Sequence, residues 1–130
     1  MGMDDKRSPN VLIVDDEPEV AKALRRILIR RGFAVETVTS AAEALDRLDP
    51  LAPDIVISDY RMPGMKGPEL LDEVKRRAPA VARFLISGQM ALGDAAGGVS
   101  AAGHRMLPKP WDNDELVAAL HAALGAERAP

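Results

Sequence analysis

A chain of 130 residues has room for one domain, whose core can bury about two-thirds of the surface that the unfolded chain exposes. A net charge of −3 and only four aromatic residues give no reason to expect nucleic acid or an anionic membrane as a partner, and little material for base stacking. The lack of cysteine excludes disulfides and thiolate metal sites. No run of about 18 apolar residues occurs, and residues 1–10 are too polar for a signal peptide, which points to a cytoplasmic protein.

The first apolar run, Asn10–Val14, reads as a buried strand and leads at once into Asp15-Asp16-Glu17-Pro18. Pro18 suits the first turn of a helix and Asp16 can cap it. Val20, Leu24, Ile27 and Leu28 form its inner face, and it stops at Gly32. Phe33–Val38 alternates as a second, less buried strand. Ser40 with Glu43 makes a capping box for the next helix, whose stripe is Ala41, Ala44, Leu45 and Leu48.

The organising stretch is Pro53–Gly64. Ile55–Ile57 reads as a strand buried on both faces, ending in Asp59 and a Met62-Pro63-Gly64 turn. Gly67-Pro68-Glu69 opens a third helix with Leu70, Leu71, Val74 and Ala78 inward, closed by Pro79. Val81–Ile86 is the fourth strand and ends in Ser87-Gly88. Gln89–Ala102 is read as a helix, although each interior glycine (Gly93, Gly97, Gly98) costs about 0.5–1 kcal/mol. His104–Leu107 is a short fifth strand running into Pro108-Lys109-Pro110. A last helix follows, with Asp112 as cap and Leu116, Val117, Leu120 and Leu124 inward. Strands alternating with helices predict an α/β domain, a doubly wound parallel sheet with helices on both faces.

Asp15, Asp16, Asp59, Ser87 and Lys109 stand at strand ends. In a parallel sheet those ends share one edge, where ligands bind. Three carboxylates packed together repel, and a bound cation relieves them; an all-oxygen, mostly open site suits Mg²⁺. The turn after the first strand has no glycine to cradle a nucleotide phosphate, so it reads as a metal turn.

Asp15-Asp16, Asp59 in Ser-Asp-Tyr-Arg-Met-Pro-Gly-Met, Ser87-Gly88 and Lys109-Pro110-Trp111-Asp112 together resemble the receiver domain of two-component response regulators, of the chemotaxis-regulator kind. Each motif is weak alone; four in order at successive strand ends are specific. The resemblance covers about residues 9–125, leaving 1–8 as a flexible N-terminal extension and 126–130 as a C-terminal tail. It implies a flavodoxin-like five-stranded sheet of order 2-1-3-4-5. It also implies that Asp59 is the phosphoacceptor, taking a phosphoryl group from a phosphohistidine as an acyl phosphate. Asp16, Asp59 and the backbone carbonyl of Arg61 would hold Mg²⁺, with Asp15 acting through a water. Lys109 would neutralise phosphoryl charge and Ser87 would hydrogen-bond the phosphoryl group once attached. Pro110 would follow a cis peptide bond that aims Lys109, and Arg61 and Gln89 would flank the hydrolytic water and set the lifetime of the acyl phosphate.

The resemblance further implies a sensor histidine kinase or phosphotransfer protein as donor. A downstream effector protein or domain would be switched, with a phosphorylation-linked homodimer and no direct contact with nucleic acid or membrane. Such a module is not an enzyme beyond catalysing its own phosphorylation and dephosphorylation. Two departures stand out. The switch position that pairs with Ser87 usually carries an aromatic ring and here is Met106, and Lys66 stands where an acid or amide is usual. Two alternatives are a degenerate receiver used only for interaction, and an aspartyl-nucleophile phosphohydrolase. The latter wants a second acid two residues beyond Asp59, where this chain has Arg61. Read singly, Asp15 and Asp16 are helix caps, Lys109 is a solvated lysine, Trp111 packs the last helix and His104 is a surface histidine.

Overall fold

A computed structural model describes residues 8–87, 98–99, 104–108 and 111–127. Its elements in chain order are β1 (Asn10–Val14), α1 (Pro18–Arg30), β2 (Ala34–Val38), α2 (Ala41–Leu51), β3 (Ile55–Asp59), α3 (Gly67–Arg77), β4 (Ala82–Ser87), β5 (Gly98–Val99), β6 (Arg105–Pro108) and α4 (Asn113–Glu127). The sheet order is β2-β1-β3-β4-β6-β5. The first five of these strands pair in parallel, which is the expected five-stranded arrangement, and β5 pairs antiparallel with β6.

The last pairing corrects one expectation. The reading of Gln89–Ala102 as a helix fails at Gly98–Val99, which lie extended against Met106 and Arg105. Gly98 is a poor helix former and β-branched Val99 favours strands. The free side of β6 offers backbone groups to pair with. The rest of that stretch lies outside the described residues.

Alternation along the strands splits the core into two layers. Val11, Ile13, Ile55, Ile57, Phe84, Ile86 and Leu107 face Leu24 and Leu28 of α1 and Leu116, Leu120 and Leu124 of α4, with Trp111 packed against them. Leu12, Val14, Val56 and Leu85 face Ala44 and Leu48 of α2 and Leu70, Leu71 and Val74 of α3. Both faces of β1 and β3 are therefore covered, which is why they read as unbroken apolar runs. Each fully buried Leu or Ile stabilises by about 1.5–3 kcal/mol. Among the described residues no helix is long and apolar enough to cross a membrane.

The capping expectations are met unevenly. Ser40 accepts from the Glu43 N–H at 3.1 Å, while the Glu43 carboxylate reaches back to the Thr39 N–H and hydroxyl. Asp16 does not cap α1. The N-cap is Glu17, whose carbonyl accepts from Val20 and Ala21, because Pro18 takes the first helical position and pushes Asp16 out of capping reach.

His104 is also placed differently from expectation. It is 2% exposed. Arg83 Nε donates to His104 Nδ1 at 3.2 Å, and His104 Nε2 lies 2.7 Å from Asp72 Oδ1. A guanidinium can only donate, so Nδ1 accepts and the ring proton sits on Nε2 facing Asp72. Arg83 also donates to the Val81 carbonyl at 3.0 Å. A buried cation is thereby compensated through an imidazole, tying β4 and the approach to β6 to α3. The partners lie 21 and 32 residues from His104, too far apart in sequence to be read as a group.

Candidate functional site

Strand register sets the frame of the site. Val14 at the end of β1 pairs with Ser58, Asp59 at the end of β3 pairs with Ile86, and Ser87 at the end of β4 pairs with Pro108 at the end of β6. The ends of four parallel strands thus line one edge of the sheet. Asp15 and Asp59 stand on that edge, as expected. Lys109, Pro110 and Gln89 lie outside the described residues, as does the side chain of Ser87.

The turn after β1 is held by its own polar groups. The Asp15 N–H donates to the Val38 carbonyl at 3.1 Å, which extends the β1–β2 ladder by one residue. The buried Asp15 carboxylate accepts from the Glu17 N–H at 2.8 Å. The Glu17 side chain makes no capping hydrogen bond, which leaves its carboxylate available to the site. One carboxylate oxygen from each of Asp15, Glu17 and Asp59 lies within 4.8 Å of the others. Asp16, the residue expected to be a direct ligand, is exposed and stands outside this group. Glu17 is the member that sequence reasoning passed over. Its signal was present, a third acid in the run just ahead of Pro18.

Asp59 is partly buried at the end of β3. The Ser58 hydroxyl donates to the Asp59 carbonyl at 2.9 Å, and the Tyr60 N–H donates to the Ile86 carbonyl at 3.0 Å. The chain then turns through Gly64, whose φ of +81° favours glycine. It returns so that the Gly67 N–H donates to the Tyr60 carbonyl at 2.9 Å. Gly67 begins α3 directly against the backbone of Asp59. A Cβ built there would lie 2.2 Å from the Asp59 carbonyl oxygen and 2.8 Å from Leu85 Cδ1. Only a residue without a side chain permits this approach. Beyond Asp59 in the chain, residues Tyr60, Arg61, Met62 and Lys66 line an open cleft of about 440 Å³.

The chemistry of the cluster fits a hard divalent cation. Its donors are all carboxylate oxygens, and three like charges at this separation repel unless an opposite charge lies between them. Met106, the expected switch position, is half-buried opposite Leu85 and packs on the α2–α3 side of the sheet.

The family model described as the response regulator receiver domain matches residues 11–121. The hydrogenase transcriptional regulatory protein HoxA of Cupriavidus necator is 40% identical over 126 residues, 96% of this chain and 26% of its own length. The transcriptional regulatory protein FixJ of Azorhizobium caulinodans is 35% identical over 115 residues, 88% of this chain and 54% of its own length. The chain spans about a quarter of the length of the first several curated relatives it matches. Among solved structures, the signal receiver domain of an HD domain-containing protein from Pseudomonas fluorescens Pf-5 superposes with a TM-score of 0.83. It has 31% identity and covers 95% of this chain and 100% of its own. The chemotaxis response regulator CheY4 of Vibrio cholerae superposes at 0.77 with 26% identity, covering 89% of this chain and 98% of its own. The chain belongs to the response regulator receiver domain family of two-component systems.

Proposed function

We propose that this receiver domain accepts a phosphoryl group on Asp59 in a Mg²⁺-dependent reaction and thereby switches a partner or output domain. The observation that carries the reading is the convergence of the Asp15, Glu17 and Asp59 carboxylates within 4.8 Å at the carboxyl edge of the sheet. An Asp59 oxygen attacks phosphorus, the P–N bond of a phosphohistidine breaks, and the electron pair leaves with the imidazole. Asp59 and the Arg61 carbonyl, with Asp15 through a water, would hold Mg²⁺, and Asp16, exposed outside the cluster, would join them only by turning inward; the ion would supply neutralising charge at the phosphoryl oxygens. Glu17 adds a carboxylate to that set.

Lys109 supplies a second positive charge and Ser87 a hydrogen bond to the attached group, with the bond before Pro110 cis. Arg61 and Gln89 set the lifetime of the acyl phosphate. Ser87 and Met106 carry the switch, the thioether filling the place of a ring. Residues 9–125 make up this unit, and it works in the cytoplasm with a sensor histidine kinase or phosphotransfer protein upstream. It transforms no substrate besides its own phosphoryl group. Family membership and the transcriptional regulators among the relatives support this assignment of partners.

The test is labelling by acetyl phosphate in Mg²⁺ buffer. Wild type is expected to take up one phosphoryl group and Asp59→Asn none. Equal labelling of the variant would move the phosphoacceptor elsewhere, and no labelling of either protein would favour a receiver used only for interaction.

A further inference from the structure

Arg83, His104 and Asp72 form a polar chain that the phosphoacceptor reading does not use. The β4–β6 register pairs Phe84 with Arg105 and Leu85 with Met106. It sets Arg83 beside His104 one pair earlier, where their side chains meet at 3.2 Å. Side chains alternate along a strand, so Arg83 and His104 share the α2–α3 face with Leu85 and Met106, the latter an expected switch residue. Arg83 and His104 are buried, whereas the Asp72 side chain is 62% exposed. Among the described residues the charged groups bonded to the ring are Arg83 from β4 and Asp72 from α3. Lys75 and Arg76 are the next cations along α3, with Arg76 paired to Glu73. Arg105, next to His104, alternates to the other face of the sheet.

We propose that Arg83, His104 and Asp72 form a proton-operated latch between β4 and β6, closed while the ring is neutral and opened on the Arg83 side by a proton on Nδ1. Nδ1 accepts from Arg83 Nε only while it lacks a proton. The proton turns Nδ1 into a donor facing another donor and puts two positive charges in contact. Arg83 keeps its bond to the Val81 carbonyl at 3.0 Å, so it can leave the ring without losing every acceptor. Asp72 gains an opposite charge and holds the Nε2 proton more strongly. The β4–β6 side-chain link is therefore present at high pH and lost as pH falls and the ring takes up its proton, whereas the link from the ring to α3 survives. Its loss removes a tie two residues from Leu85 and Met106, and acidity thereby loosens the face that carries Met106.

The test is nitrogen-edited NMR of the 130-residue chain between about pH 8 and about pH 5, the interval in which histidines ordinarily change charge. Wild type, Asp72→Asn and His104→Gln are compared. In wild type the His104 ring is expected to pass once from the Nε2-protonated form to the doubly protonated form. Protection of the Arg83 Nε–H, corrected for its intrinsic exchange rate, should fall about three- to ten-fold with the same midpoint, the size of one lost hydrogen bond. The Met106 amide should shift in step. Asp72→Asn removes the charge that favours the imidazolium and should move the midpoint to lower pH. His104→Gln is neutral throughout, can accept from Arg83 and donate to Asp72, and should abolish the shift at Met106. A ring that stays neutral over the whole interval would overturn the latch. So would a ring that titrates while Arg83 and Met106 do not respond. The wild-type measurement alone decides both points, even where a variant fails to fold.

Discussion

Gly67 shows how a residue with no functional group can position one that has it. Its missing side chain lets α3 start against the Asp59 carbonyl, where a Cβ would stand only 2.2 Å from that oxygen. Gly67→Ala must therefore move either the helix or the end of β3, and overpacking of this kind costs about 1–3 kcal/mol. The expected outcome is a lower midpoint in denaturant unfolding, with the labelling rate of Asp59 falling even where the protein is fully folded. A folded variant labelled at the wild-type rate would show that the close approach serves packing alone. In sequence, Gly67 reads only as the start of a helix, because the atom it avoids belongs to a residue eight positions earlier.

Among the elements, strands and helices were legible because their periods are written in short windows, whereas contacts between elements were not. The Ser40 capping box is local and was read correctly; the Arg83–His104–Asp72 chain is not local, and His104 looked exposed until β4, β6 and α3 were brought together. Glu17 lay between these cases, since the acidic run was visible but the member that meets Asp59 was set by the turn. The capping box also makes a pH prediction. Hydrogen bonds from the Thr39 hydroxyl and then the Thr39 N–H hold the Glu43 carboxyl below its ordinary range. A lowered value means that this contribution is fully present above the unfolded glutamate value of about 4.3, and is lost as pH falls through the folded value. In Glu43→Gln the loss of stability on acidification from about pH 5 to about pH 3 should be smaller than in wild type. Identical pH profiles from chemical denaturation would rule out a role for the charged form.

For the whole molecule, the three-layer α/β/α frame brings the ends of β1, β3, β4 and β6 to one edge, and acids far apart in sequence become neighbours there. That edge was the most readable feature of the chain, because an acid placed directly after a buried strand must reach solvent, a cation or a hydrogen-bond donor. Gly98–Val99 was the least readable, since a glycine-rich stretch carries no strong period and the open side of β6 decided its local form. The function proposed for the edge is phosphoryl acceptance by Asp59. Its sharpest test is peptide mass spectrometry of the wild-type chain after acetyl phosphate treatment, with the acyl phosphate trapped by reduction, in Mg²⁺ and in chelator. A single modified position, Asp59, is expected in Mg²⁺ and none in chelator. Modification at Asp15, Asp16 or Glu17, or at Asp59 to the same extent without metal, would refute the assignment.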